Sequence, residues 1–329
     1  MAGTSESEIS ILGQTIKLGE SKTIDFSIAK LYSAANVEIP VIIERSLNPG
    51  PTVLLISGIH GDEINGVEVV RQLLAKQINK PKKGTIICIP ILNIFGFLNA
   101  SRTLPDGRDL NRAFPGSKSG SLASRVAFHF SQNILPHVDY CLDFHTGGSA
   151  RYNAAQLRVM PDNEDLLQLA KIFGAPFIVV SKNQNKSLRA ICFKQGIPSI
   201  LFEGGKTLSS DKNIVKQGVD GVKRVLLKLG MLDEKFNAIN AENPSIIIEK
   251  SKWIRAQRSG LLHVKIACGK RVEKDEFIAT ITDPYGTMRY IVKAPNKGYI
   301  INVNHTPIVH QGDAIFHIST KYSLASNTP

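Results

Sequence analysis

Cysteine is scarce in this chain. The four thiols, Cys88, Cys141, Cys192 and Cys268, lie far apart, and no CxxC pair occurs. Three of them sit inside apolar runs, so buried, reduced thiols are expected and a disulfide framework is not needed at this size. Long apolar runs are missing as well. None approaches the roughly 20 residues that cross a bilayer, so no membrane association is expected. The first residues, MAGTSESEISILG, have neither a charged n-region nor an apolar h-region. They do not read as a signal peptide, and a cytoplasmic location is the simplest expectation. Nor is there a basic run interleaved with aromatics, so no nucleic-acid partner is expected.

Positive charge is plentiful. The formal charge is +12, spread along the whole chain and densest at Lys80-Pro-Lys-Lys83. Such an excess reads first as a solvated basic surface, and second as a field that draws anionic substrates. The 329 residues suffice for one large α/β domain and one smaller one.

From Pro51 onward, apolar runs alternate with helical periodicity. Thr52–Ser57 and Thr85–Pro90 are continuous apolar runs, as in strands buried on both faces. Tyr140–Phe144, Phe177–Val180 and Ile200–Phe202 read as further strands. Helical spacing covers Asn65–Leu74, Leu122–Ile134, Asp165–Phe173, Ser187–Lys194 and Val215–Leu229. This alternation predicts an α/β fold with a largely parallel sheet. Residues before about 45 read as short strands and turns. After about Asn243 the helical period vanishes, and short β-rich runs recur between glycines and X-Pro pairs. The expected domains are therefore 1–240 and a β-rich 241–329, with the boundary in Asn237–Pro244. The second has a texture similar to a biotinyl/lipoyl-like barrel, but no modifiable lysine stands in a carrier tripeptide. A lid or interaction role is expected instead.

Four motifs carry chemistry. In Gly58-Ile-His60-Gly-Asp-Glu63 a histidine and a carboxylate follow a buried strand directly. Sites in open α/β sheets form at the carboxyl ends of strands. Three residues apart, the pair can converge on one ion, and zinc accepts both ligand types. Asp143-Phe-His145-Thr-Gly147 places another histidine at a strand end. Alone it reads as a loop histidine; with the first pair it completes a His, Glu, His set. Asp109-Leu-Asn-Arg112 sets an amide beside a guanidinium, a fork suited to a carboxylate. Phe202-Glu203-Gly204-Gly205 puts a carboxylate at a strand end, where a general base would serve.

The set GIHGDE, DLNRAFPG, DFHTGG and FEGG resembles the succinylglutamate desuccinylase/aspartoacylase family, over roughly residues 50–230. The resemblance implies a zinc carboxypeptidase-like mixed sheet flanked by helices, with a smaller all-β, barrel- or sandwich-like C-terminal domain. It implies one Zn2+ per chain on His60, Glu63 and His145, with Glu203 as general base and acid. Asn111 and Arg112 match the pair that grips the substrate's carboxylate. Arg102 matches the arginine that polarises the scissile carbonyl, with Arg108 as the competing position. Arg189 resembles a second carboxylate-binding arginine. The implied reaction is hydrolysis of the amide of a small N-acylated amino acid. His145-Thr-Gly-Gly148 looks more like a bacterial branch that includes N-acetyl diaminobutyrate deacetylases. A peptide-cutting zinc carboxypeptidase and a non-catalytic zinc-binding protein are the rival readings. Homo-oligomerisation through the β module is compatible with the sequence, though no residue argues for it. Tyr285, in Asp-Pro-Tyr-Gly286, is a candidate for reaching the site from that module.

Overall fold

The structure, a computed structural model, describes residues 8–30, 33–34, 36–236 and 243–325. The N-terminal part contributes β1 (Glu8–Ile11), β2 (Gln14–Lys17), β3 (Ser21–Lys30) and β4 (Asn36–Arg45). The last two are long strands, and they form one end of the main sheet. Then follow β5 (Thr52–Ser57), α1 (Ile64–Ala75), β6 (Thr85–Ile89), α2 (Ile94–Leu98), α3 (Leu122–Asn133) and β7 (Tyr140–Gly147). Next come β8 (Arg151–Val159), α4 (Glu164–Phe173), β9 (Phe177–Val180), α5 (Leu188–Lys194), β10 (Ser199–Lys206) and α6 (Lys212–Lys228).

Strands β6, β5, β7 and β10 lie side by side and parallel. Their apolar runs are buried almost throughout because helices cover both faces. Helices α1, α4 and α6 pack on one face, with Val69, Leu166 and Val222 in that core. Helices α3 and α5 pack on the other, with Phe130 and Leu188. Asn163, Ser187 and Asp211 cap the N-termini of α4, α5 and α6 through side-chain oxygens.

The sheet is mixed, because β8 runs antiparallel to β10. The sequence pattern does not show this strand. Arg151–Val159 mixes Asn, Gln and Arg with small apolar residues, yet its centre is fully buried.

After the boundary region come β11 (Ile246–Arg255), β12 (Gly260–Val264), β13 (Arg271–Val272), β14 (Phe277–Thr282), β15 (Arg289–Lys293), β16 (Gly298–Asn304), β17 (Ile308–Val309) and β18 (Ala314–Leu324). Much of the expected boundary, residues 237–242, lies outside the described residues. The main sheet itself continues across it: β11 pairs in parallel with β9, Ile246 opposite Phe177. β18 then pairs with β11 and with β16, and β16 returns to pair with β8. The five strands β8, β9, β11, β18 and β16 thus close a ring with a small core of Ala154, Phe177, Val179, Ile248 and Ile301. A second sheet, ordered β15-β14-β12-β17, joins β16 and β18 in another core that includes Ile281, Val303 and Phe316. Among the described residues, no helix is long and apolar enough to cross a membrane.

Candidate active site

Chain reversals at the carboxyl ends of the parallel strands gather the chemical groups. Beyond β5 the backbone turns at Gly58, whose φ of 61° suits glycine. The next residues deliver His60, and Glu63 occupies the N-cap position of α1. Two close approaches hold this loop. A Cβ on Gly61 would lie 1.8 Å from the Gly96 carbonyl carbon, and one on Gly66 would lie 2.5 Å from the Phe144 oxygen. Only glycines let the loop and α1 seat against α2 and β7. His145 and Glu203 are register partners on the parallel strands β7 and β10, so they share one rim.

Candidate ligand atoms of His60, Glu63 and His145 all lie within 4.8 Å of one another, and all three residues are buried. Glu63 bridges the rings: Oε1 is 2.7 Å from His60 Nδ1 and Oε2 is 2.7 Å from His145 Nδ1. The backbone N–H of Thr146 donates to Oε2 at 3.0 Å. Each imidazole has a further carboxylate behind it. Asp109 Oδ1 lies 3.1 Å from His60 Nε2, and Asp143 Oδ2 lies 2.9 Å from His145 Nε2. Arg102 donates from Nη2 to Asp109 at 2.8 Å and from Nη1 to Glu63 at 3.3 Å.

Burial alone would raise the Glu63 carboxyl, but the two imidazoles outweigh it and hold the group well below the usual range. Burial likewise raises Asp109, and His60 and Arg102 overcome it to push the group down. For His145, burial lowers the pKa, yet Asp143 and Glu63 carry it well above the ordinary value. His60 is raised for the same kind of reason, by Glu63 and Asp109 against burial.

These facts fit a divalent cation. Each ring has carboxylate oxygens at both nitrogens, but a neutral imidazole can donate from only one of them. With neutral histidines, Glu63, Asp109 and Asp143 against Arg102 leave two uncompensated negative charges. A metal-bound imidazole whose other N–H donates to a carboxylate is the usual arrangement in such centres.

A cavity of about 430 Å³ opens over this cluster. Arg102, Asn111, Arg112, Arg189 and Glu203 all line it. Asn111 is tied down by its Oδ1, which accepts from the Leu188 backbone N–H at 2.9 Å. Its Nδ2 is thereby left to donate. Arg189 is buried, and its Nη1 lacks a hydrogen-bond partner among the described residues. Burial and the neighbouring Arg158 lower its pKa to about 10, so it stays charged at neutral pH. Arg108 is not brought to the cavity. It lies largely exposed beside Asp106, at 3.8 Å, just after the turn at Gly107. Tyr285 does not line the cavity either; it stands 85% exposed on the turn between β14 and β15.

Four contributors escaped the sequence reading. Asp143 stands two residues before His145, which was the available signal, whereas Asp109 is 49 residues from His60 and only the fold brings the two together. Arg158, on the unrecognised β8, donates from Nε to Glu203 Oε2 at 2.6 Å. Arg151, at the start of β8, lines the cavity too. No sequence pattern pointed to either arginine.

In sequence and fold the chain is similar to a class of deacylases. The model of the succinylglutamate desuccinylase/aspartoacylase catalytic domain matches residues 49–229. The chain belongs to the succinylglutamate desuccinylase/aspartoacylase family. It is 28% identical over 295 residues to N-alpha-acetyl-L-2,4-diaminobutyric acid deacetylase from Halomonas elongata, covering 85% of this chain and 84% of that protein. Its fold is similar to the product-bound ectoine utilization protein from Ruegeria pomeroyi, with a TM-score of 0.83 at 22% identity over 96% of this chain and all of that one. It is also similar to the succinylglutamate desuccinylase/aspartoacylase from Rhodobacter sphaeroides, with a TM-score of 0.79 at 24% identity over 92% and 96% of the two chains.

Proposed function

We propose that this protein is a zinc-dependent amidohydrolase that removes the acyl group from a small N-acyl amino acid. The observation that carries the reading is the buried His60, Glu63, His145 cluster, with an outer carboxylate on each imidazole and Glu203 on the adjacent strand. A single zinc ion held by His60, Glu63 and His145 would supply Lewis acidity and lower the pKa of a bound water to about 7.

The chain's own groups supply the rest. Arg158 fixes Glu203 through Oε2, which leaves Oε1 to take a proton from the attacking water and return it to the leaving amine nitrogen. Arg102, oriented by Asp109, stands over the cluster to stabilise negative charge growing on the acyl oxygen. Asn111 Nδ2 and the Arg112 guanidinium bind the amino acid's carboxylate and so place the amide. A cavity of about 430 Å³ suits a small substrate better than a peptide. The relative from Halomonas elongata, a deacetylase by name, supports an N-acetyl amide as the bond cut.

The test is a hydrolysis screen of N-acetyl and N-succinyl amino acids, with short peptides alongside, using protein of measured zinc content. Release of acetate or succinate is expected with zinc present and not after chelation. Peptide cleavage without acyl release would replace this reading with a carboxypeptidase. A zinc-loaded protein inert across the panel would leave a binding role.

A further inference from the structure

The cavity's charges are unevenly spent. Its two acids are committed, Glu63 within the metal cluster and Glu203 to Arg158. Arg102 is paired with Asp109. Arg112, Arg151, Lys182 and Arg189 line the same cavity, and no ion pair is formed by any of them among the described residues. Arg112 follows Asn111, which is bonded to the start of α5, and Arg189 of α5 donates to the Lys182 carbonyl, so these three lie together on the side that receives the amino acid's carboxylate in the proposed function.

Arg151 differs in origin and in support. It begins β8, directly after the turn that follows His145, and its backbone partner is Asn304 on β16. Its guanidinium carbon lies 5.5 Å from the ring centre of Trp253, the one tryptophan of the chain. Trp253 in turn stacks on His317, its register partner across β11 and β18, with ring centres 4.4 Å apart and planes 8° from parallel. Burial, helped by Arg158, pushes His317 down to about 4, so the ring is neutral near pH 7 and adds no repelling charge. The C-terminal strands therefore hold a cation at the cavity wall on an aromatic platform, with no carboxylate paired to it among the described residues. A cation over an indole face keeps its charge and loses its freedom.

We propose that Arg151, held on Trp253, is a specificity-determining residue that reads the charge on the substrate's side chain and disfavours an ammonium there. The proposal rests on the function given above and assigns the C-terminal strands a part in substrate choice. An ammonium group in this cavity meets unpaired cations and no uncommitted carboxylate. A carboxylate of the same length meets Arg151.

The matched probes are N-acetyl-L-glutamate and Nα-acetyl-L-2,4-diaminobutyrate, whose side chains end in opposite charges at the same reach. Binding is measured calorimetrically on the zinc-loaded full-length protein carrying Glu203→Gln, so that nothing turns over. The glutamate derivative is expected to bind about tenfold tighter or more, and adding Arg151→Gln should collapse that preference to near unity. Saturation with N-acetyl-L-glutamate should shift Trp253 emission, and Arg151→Gln should abolish the shift. Trp253→Ala should erode the preference and Trp253→Phe should retain it, a rescue that a purely structural role does not require. An unchanged preference in Arg151→Gln, or a parent protein that prefers the diaminobutyrate derivative or binds neither, overturns the proposal. Selective binding without hydrolysis of any N-acyl amino acid by the protein with Glu203 intact would instead sink the reaction and leave Arg151's role standing.

Discussion

Asp143→Asn isolates the support behind one proposed metal ligand. Asp143 is 1% exposed, accepts at 2.9 Å from the Nε2 side of His145, and its other oxygen has no hydrogen-bond partner among the described residues. Its charge is therefore directed almost wholly at one imidazole. Asparagine has the same shape, and its carbonyl can still accept from Nε2–H. What is lost is the negative charge that makes the ring a better donor at Nδ1. The uncompensated charge of the cluster also falls from two to one. Loss of such an outer carboxylate typically weakens metal binding 10–100-fold, or about 1.4–2.7 kcal/mol. The measurement is zinc affinity by competition with a chromophoric chelator, on wild-type and variant protein at one pH. Asp143→Ala, which leaves Nε2–H without an acceptor, should fall further than Asp143→Asn. Zinc affinity in Asp143→Asn within twofold of wild type would refute the reasoning, because His145 would then not be a ligand tuned by Asp143.

Other outcomes follow from the same geometry. Glu203→Gln should keep its zinc, as measured by elemental analysis, while kcat falls at least about 10²-fold; retained turnover would remove Glu203 from proton transfer. Gly61→Ala forces a methyl against the Gly96 and Phe97 backbone at 1.8 and 2.0 Å. The two segments must part by about 1.5 Å or more, so a loss of about 3 kcal/mol and of zinc content is expected, read by denaturant unfolding and metal analysis. A pH effect follows from His317, whose folded pKa of about 4 lies below the ordinary 6.5. Above pH 6.5 the ring is neutral folded or unfolded, and the pair of states is unaffected. As pH falls from 6.5 toward 4 only the unfolded chain takes up the proton, so stability drops by up to about 3 kcal/mol and then levels. His317→Phe keeps the stack on Trp253 and should flatten that part of the stability profile; an unchanged slope would show that His317 does not titrate this way.

The parallel core was readable because burial on both faces forces uninterrupted apolar runs. Thr52–Ser57, Thr85–Ile89 and Phe177–Val180 could be nothing else once glycines and helical periods flanked them. The site's inner residues were readable for a related reason. Strand-end chemistry places its groups just after such runs, and His60, Glu63, His145 and Glu203 all stand there. β8 was not readable. Polar residues that serve the cavity and the β8–β16 seam, Arg151, Asn153 and Arg158, interrupt the pattern a strand would show.

By itself, then, the order of residues determined which segments become core strands and helices, and which motifs meet at the strands' carboxyl ends. Both follow from local periodicity and from short turns that leave the chain little choice. Only the tertiary structure decided that Arg158 belongs to Glu203, that Arg108 faces solvent, and that Trp253 backs Arg151 across about a hundred residues of chain. Those pairings depend on strand neighbours and register, which are set by the packing of the whole sheet and leave no trace in the spacing of the residues they join.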